Sequence, residues 1–320
     1  MKRLIPALRA DGVPLELIMV LRTILAASKE ISFRVSQGAL SGVLGSTLDE
    51  NIQGETQKKL DILSNQLLKD MLLNSPDVRS IASEEEDNVV AGKEGAAYIV
   101  AFDPLDGSSN IDINGQIGTI FTIYAARDDV PADSPLQFAQ PGNAQLAAGY
   151  VLYGPSTMMA LTTGGPTRLY TLDRTNGSYL LTQDEMKIAP DTSEFAINMA
   201  NQRFWHENTQ TYIGNLIAGE TGPREKRYNM RWNGAMVGDV HRVLQRGGIF
   251  LYPEDTKNPE QPAKLRLLYE ANPMAMLVEN AGGKAIANKQ RILDIQPTSL
   301  HQRVAVVCGA ANEVDAYLNS

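Results

Sequence analysis

The chain has 320 residues, and 37 acidic against 29 basic side chains leave a formal charge of −8, a balance that argues against nucleic acid as the main partner. Hydrophobic residues at 43% and charged ones at 21% exclude wholesale disorder, and the length suffices for two compact domains. A single cysteine, Cys308, excludes an internal disulfide. No segment approaches the roughly 18 apolar residues of a membrane span, and Met1 to Pro6 lacks the apolar stretch of a signal peptide, so the expected location is the cytoplasm, with no membrane partner.

In chain order, Leu17, Val20, Leu21, Ile24, Leu25, Ile31 and Val35 recur at helical spacing over residues 14–35, and Pro14 suits a first turn whose N–H needs no partner. A second helical pattern over 55–73 sets Leu60, Leu63, Leu67 and Met71 on one face, with Asp61 on a flank, and Asn74-Ser75-Pro76 stops it. Residues 96–181 are strand-rich: 98–102, 117–124, 149–153, 158–161, and two arms around Asn176-Gly177, a pair that suits a tight two-residue turn. Between them, 128–143 is rich in Asp, Pro and Gln and reads as a long surface loop. A polar stretch over 187–194 sets a boundary near 190, which divides the chain into 1–190 and 191–320. Beyond it, helices over 206–218, 235–246 and 273–281 alternate with strands at 249–252, 265–268 and 304–308. The expected architecture is a mixed N-terminal sheet with helices plus a smaller α/β C-terminal domain.

The densest chemical signal is Phe102-Asp103-Pro104-Leu105-Asp106-Gly107-Ser108-Ser109-Asn110-Ile111-Asp112, which follows a buried-looking strand and projects its carboxylates from a strand end. Pro104 holds Asp103 extended, and Gly107 lets the chain turn so that the Ser108 and Ser109 N–H groups share one anion-binding concavity. Two carboxylates beside such a turn repel a phosphate unless cations lie between them, which points to bound divalent metal. With only His206, His241 and His301 available, oxygen ligands favour magnesium or manganese over zinc. The acidic run Ser83-Glu84-Glu85-Glu86-Asp87 comes just before this strand. Alone, it reads as a solvated loop and the Asp-x-x-Asp stretch as a capped turn; their conjunction makes a candidate site.

In these residues the chain resembles the class I fructose-1,6-bisphosphatases, within the wider group of magnesium-dependent, lithium-sensitive sugar and inositol phosphatases. The run 103–112 looks like that family's signature, and similar stretches at 58–65, 118–121, 147–154, 247–253 and 264–274 extend the resemblance from about Lys29 to the C-terminus. It implies the α/β and α+β layered sandwich of the sugar phosphatases and hydrolysis of the 1-phosphate of fructose 1,6-bisphosphate, in gluconeogenesis or the Calvin cycle. Implied metal ligands are Glu84, Asp103, the Leu105 carbonyl, Asp106 and Glu270, holding two or three Mg²⁺ ions per subunit, with Glu55 near a further one. Glu85 and Asp61, with Asp106, are the implied catalytic groups that orient or deprotonate the attacking water. Asp106, Gly107, Ser108 and Ser109 would contact the reacting phosphate. Asn198, Tyr252, Tyr269 and Lys264 would contact the sugar and 6-phosphate, and Arg231 would reach that phosphate from a neighbouring subunit of a homo-oligomer, most often a tetramer. Without the resemblance, Lys264 and Arg266 alternating with Leu265 and Leu267 read as a half-exposed strand, and His241 reads as structural.

Two departures stand out. Trp232 replaces a tyrosine that in many members touches the 6-phosphate, which keeps sedoheptulose 1,7-bisphosphate open as an alternative or additional substrate. Arg231 and Lys264 weigh against an inositol or 3′-phosphoadenosine phosphatase, and the three-residue step between Asp103 and Asp106 weighs against a covalent Asp-x-Asp phosphatase. The complete carboxylate set weighs against a non-catalytic, metal-stabilised binding subunit. At the N-terminal helix start, animal members carry Thr-Gly-Glu-Met-Thr, which holds the phosphate of the inhibitor AMP. Here the stretch is Pro14-Leu15-Glu16-Leu17-Ile18, without either hydroxyl or the first N–H, and Ala97 and Ala125 replace a lysine and an arginine. The expected outcome of an AMP titration is therefore no inhibition through this helix start. Micromolar inhibition abolished by substitutions there would contradict it.

Overall fold

Two sheets organise the chain, and in the larger one the central strands lack the alternation of a half-exposed sheet. The protein is described here by a computed structural model covering residues 1–42, 44–50 and 56–320. Val78–Ser83 and Ala147–Tyr153 are buried at every position, as are Tyr98–Asp106 and Ile117–Ala125 up to their last residue. Continuous burial of this kind requires cover on both faces. Neighbours accordingly enter different cores: Ile120 and Tyr150 face one side, Phe121 and Val151 the other.

The larger sheet has eight strands in the order Ser178–Gln183, Arg168–Asp173, Thr157–Thr162, Ala147–Tyr153, Ile117–Ala125, Tyr98–Asp106, Val78–Ser83 and Val90–Ala91. It is mixed, with one parallel pair, Val78–Ser83 beside Tyr98–Asp106. The helices Leu15–Gln37 and Lys59–Leu73 cover one face through Val20, Leu21, Ile24, Leu60, Leu68 and Leu72. The helices Met236–Arg246 and Asn272–Glu279 cover the other. These two are shared with the smaller sheet, ordered Asn229–Met230, Glu194–Ala196, Ile249–Tyr252, Val306–Gly309, Lys284–Ala287, Gln290–Arg291. Its far face is covered by Glu207–Ile217 and Ala311–Leu318 through Tyr212, Ile213, Val314 and Tyr317. The result is a five-layer sandwich in which helices alternate with sheets. Among the described residues no helix is long and apolar enough to cross a membrane.

Several expectations are corrected. The second helix starts at Lys59, after an antiparallel pairing of Ser46–Glu50 with Thr56–Lys58. Glu55 lies outside the described residues. The hairpin at Asn176-Gly177 is real but longer than a two-residue turn: Asp173 pairs with Ser178, Gly177 takes φ +70°, and the Asp173 carboxylate organises the loop by accepting from Thr175 and Asn176. The expected strand 265–268 lasts only through Leu265–Arg266 before a π-helical turn, Leu267–Ala271, leads into Asn272–Glu279. Pro273 accounts for the wide turn, since its ring would strike the Tyr269 carbonyl in a regular helix. Arg266 is consequently buried instead of half exposed.

The segment 128–143 is not a loose surface loop. It carries the short turns Pro135–Phe138 and Gly142–Ala144 and buries Val130, Phe138 and Gln137. The Gln137 amide accepts from the Arg127 N–H at 2.9 Å and donates to the Arg127 and Val130 carbonyls, both at 2.8 Å. Arg79 and Ser80, on Val78–Ser83, donate to the Val130 and Ala132 carbonyls. Replacing Gln137 with Ala strands buried backbone groups, and the expected loss is about 2 kcal/mol in urea unfolding. A loss below about 0.5 kcal/mol would show that the segment does not depend on this amide.

Candidate active site

Asp103 and Asp106 are three residues apart, and in a regular strand an odd step places side chains on opposite faces. The strand instead carries a bulge: Asp103 lies opposite Ile120 and Asp106 opposite Gly118, so three steps on one strand match two on its partner. The extra residue brings both carboxylates to one side. Pro104, which has no N–H to give a ladder, suits this position. Its carbonyl accepts from the Thr119 hydroxyl at 2.9 Å, and the Leu105 N–H donates to Asp103 at 2.9 Å. Gly107 then takes φ +80°, and an added Cβ would lie 2.4 Å from that of Ala235, so no other residue fits the turn into Ser108–Asn110.

Asp106 accepts from the Val237 N–H at 2.6 Å, at the start of the helix Met236–Arg246. Glu270, from the π-helical turn, accepts from the Arg266 N–H at 2.6 Å. Carboxylate oxygens of Asp103, Asp106 and Glu270 lie within 4.8 Å of one another. Glu84 follows the strand Val78–Ser83, held by its N–H to the Phe102 carbonyl, and pairs with Arg266 at 3.4 Å. Asp61 is buried in the first turn of Lys59–Leu73; one oxygen accepts from the Lys58 N–H at 3.0 Å and the other has no hydrogen-bond partner among the described residues.

These groups share a cavity of about 540 Å³. Its carboxylate-rich part includes Asp61, Glu84, Glu85, Asp103, Asp106 and Glu270, beside Leu105, Gly107, Ser108 and Ser109. Another part is walled by Trp232, Phe250 and Tyr252, with Trp232 stacked on Phe250 at 6.0 Å, and Asn198 and Lys264 also line the cavity. One residue expected here, Tyr269, is absent from it. Tyr269 is fully buried with its ring against His301, because the turn that points Glu270 into the cavity points its neighbour away. Arg231 is exposed and donates to its own neighbour's carbonyl, so it does not serve its own chain's cavity. Conversely, Lys58, Phe250 and Arg266 line the cavity without having been singled out as site residues. The π-helical turn that buries Arg266 could have been suspected from Pro273 alone.

Burial raises four of the carboxyls at the centre. Asp61, Asp106 and Glu270 are each pushed up to about 7, and Asp103 well above the carboxylate range. Neighbouring negative charge adds to burial: Glu84 acts on Asp103 and Asp106, and Asp106 on Glu270. Hard, crowded oxygen donors of this kind fit a divalent cation, whose charge would replace the protons that burial otherwise retains.

A buried carboxylate cluster suited to a hard cation, set beside the Gly107–Asn110 turn on a layered α/β sandwich, has the donor set that a metal-assisted phosphatase requires. Residues 8–184 match the family model described as the fructose-1,6-bisphosphatase N-terminal domain, and 188–319 match that of the C-terminal domain. The chain belongs to the class I fructose-1,6-bisphosphatase family. It is 73% identical over 319 residues to the fructose-1,6-bisphosphatase class 1 of Cellvibrio japonicus, spanning 100% of this chain and 99% of that one. Identity to a class 1 enzyme of Pseudoalteromonas translucida is 67%, spanning 99% of each chain. The crystal structure of Leishmania major fructose-1,6-bisphosphatase in holo form superposes with a TM-score of 0.92 at 36% identity, covering 99% of this chain and 98% of that one.

A carboxyl raised from about 4 to about 7 binds more protons folded than unfolded, so its stabilising contribution is full below pH 4 and lost as pH rises through 7. A cation should compensate for that loss. The rise in melting temperature on adding a divalent cation is expected to be small at pH 5 and to grow steadily to pH 8, as read by scanning fluorimetry. A pH-independent rise would show that these carboxyls do not exchange protons for the cation.

Proposed function

We propose that the chain is a phosphoric monoester hydrolase that converts fructose 1,6-bisphosphate and water into fructose 6-phosphate and inorganic phosphate. The observation that carries this reading, alongside family membership, is that one cavity joins a buried carboxylate cluster and a Gly-Ser-Ser turn to a separate wall of aromatic and basic side chains. A bisphosphorylated sugar needs two such parts. Fructose 1,6-bisphosphatase is also what the relatives named above are called.

Glu84, Asp103, Asp106, Glu270 and the Leu105 carbonyl are assigned to hold two or three magnesium ions, a role manganese can also fill. Bound there, such ions would neutralise phosphate charge and lower the pKa of a coordinated water. Gly107, Ser108 and Ser109 bind and orient the reacting phosphate. Asp61, with one buried oxygen that has no partner among the described residues, and Glu85 hold the attacking water and accept its proton as its oxygen bonds to phosphorus; the bond from phosphorus to the C1 oxygen breaks, and that oxygen takes up a proton to leave as the sugar hydroxyl. Asn198, Tyr252, Lys264 and Trp232 serve the sugar and its 6-phosphate. Arg231 extends from residues 191–320, the half assigned to sugar contacts, to the cavity of a neighbouring subunit in a homotetramer. The enzyme acts in cytoplasmic carbohydrate metabolism, in the gluconeogenic direction.

Phosphate release should be measured with fructose 1,6-bisphosphate, sedoheptulose 1,7-bisphosphate and inositol 1-phosphate, with Mg²⁺ and with chelator. Chelator-sensitive turnover is expected to be highest on the fructose ester and to fall at least about 10³-fold in Asp106→Asn, with the fold retained. Undiminished turnover in the variant, or preference for either other ester, would overturn the assignment.

A further inference from the structure

Asp239 is 1% exposed and lines no part of the cavity, yet it touches the segment that does. From the first turn of Met236–Arg246, it accepts from the Asn233 N–H at 2.8 Å, the Asn233 side-chain amide at 3.1 Å and the Gly234 N–H at 3.3 Å. Burial pushes its carboxyl up to about 6, so at neutral pH these donors meet the charged form. The Asn233 carbonyl in turn accepts from Asn110 at 3.1 Å, and the same Asn110 amide donates to the Gln116 carbonyl at 3.1 Å. Asn110 ends the Ser108–Asn110 turn that follows Asp106 and Gly107.

The two segments also touch sterically with no room to slide. A Cβ on Gly107 would lie 2.4 Å from that of Ala235, and one on Gly238 would lie 2.5 Å from the Gln116 side chain. Gly234, at φ +77°, has no side chain with which to fix itself. Immediately before this held pair stands Trp232, parallel to Phe250 within 1° and tilted against Tyr252 at 6.2 Å. Hydrogen bonds therefore run from the reacting-phosphate turn through Asn110 and Asn233 to Asp239, and Trp232 of the aromatic wall hangs from the same backbone.

Resting on the function proposed above, in which this wall serves the distal end of the sugar, we propose that Asp239 is a positioning residue that sets the spacing between the two phosphate-binding parts of the cavity. Its carboxylate ties residues 233–234 to the helix whose start also holds Asp106. That spacing is the gauge by which a six-carbon bisphosphate is told from a seven-carbon one. Asp239 acts through Trp232 and touches no reacting atom, so its loss falls on fit and not on bond breaking.

Asp239→Asn keeps the shape but turns one acceptor into a donor facing the Asn233 or Gly234 donors. The expected result is a rise of about tenfold in KM for fructose 1,6-bisphosphate, with kcat within about twofold of wild type. Preference for the fructose over the sedoheptulose ester should fall by a comparable factor. Asn233→Ala, which removes one of the three donors and leaves the backbone intact, should move both readouts in the same direction by less. Trp205→Phe leaves Trp232 as the sole tryptophan, and in that background Asp239→Asn should lower its fluorescence anisotropy. As a control, Tyr317→Phe removes the buried Thr209–Tyr317 hydrogen bond outside the cavity and should lower stability without altering KM or preference. Unchanged KM, preference and anisotropy in folded Asp239→Asn would overturn the proposal, and so would parallel KM changes in Tyr317→Phe. If Asp239→Asn does not fold, Asn233→Ala decides by the same readouts. Wild-type protein inactive on both esters would instead defeat the proposed function, while the anisotropy comparison would still judge the tie.

Discussion

Taking several carboxylates out of water at the end of one strand is the constraint to which the rest of this structure answers. Desolvation of a single charged group costs several kcal/mol, and here Asp103, Asp106 and Glu270 crowd within 4.8 Å. The chain meets that cost locally and incompletely. Asp106 takes an N–H from the start of a helix, where the backbone dipole favours negative charge, and Glu270 takes the Arg266 N–H. Glu84 has the Arg266 guanidinium. Asp103 has the Leu105 N–H, and burial beside Glu84 and Asp106 raises its carboxyl well above the ordinary range. What remains uncompensated is the driving force for binding a cation.

The layered architecture makes this crowding possible. Asp103 and Asp106 come from the larger sheet, Glu270 from the turn entering the helix layer between the two sheets, and the aromatic wall from the smaller sheet and the segment before Met236–Arg246. The cavity therefore lies where three layers meet: its carboxylate part draws on both halves of the chain, and its aromatic wall comes from residues 191–320. Rigid contacts, chiefly Gly107 against Ala235 and Asp106 on the Val237 N–H, stitch those halves together. A single β-bulge is decisive in this arrangement: without its extra residue one of the two aspartates would point into the apolar core formed by Phe102 and Phe121.

Much of this was legible in the sequence, for physical reasons that differ by element. The long helix over 15–37 announces itself through a repeating apolar face, and the run 103–112 through an improbable concentration of Asp, Pro, Gly and Ser. Its acidic neighbours could be associated with it because a parallel pairing of adjacent strands brings both strand ends to the same edge. What was not legible depends on partners far away in sequence. Gln137 is buried because it satisfies backbone groups that a composition rich in Asp and Pro gives no hint of. Tyr269 turns away from the cavity that its neighbour Glu270 lines because a π-helical turn follows the short strand Leu265–Arg266. Arg266 looks like a solvated strand residue until its carboxylate partner, Glu84, arrives from 182 positions earlier, 266 less 84.

The balance of charge inside the cavity also separates what the protein supplies from what it must borrow. The chain is negative overall, the cavity gathers six carboxylate side chains, and the proposed substrate is itself a polyanion. Basic side chains line the same space, but Lys58 is committed to Asp112 at 2.7 Å and Arg266 to Glu84 at 3.4 Å. Cations already paired with carboxylates do little to offset a phosphate arriving beside them, since each pair is close to neutral at a distance. Three basic side chains, Lys58, Lys264 and Arg266, are outnumbered by the six carboxylates that line the same space. Positive charge must therefore enter with bound ions before a phosphate is drawn in. On the function proposed above, a bound cation would serve substrate binding as well as bond breaking, and the acidic crowding that looks hostile to a phosphate would be what concentrates such ions.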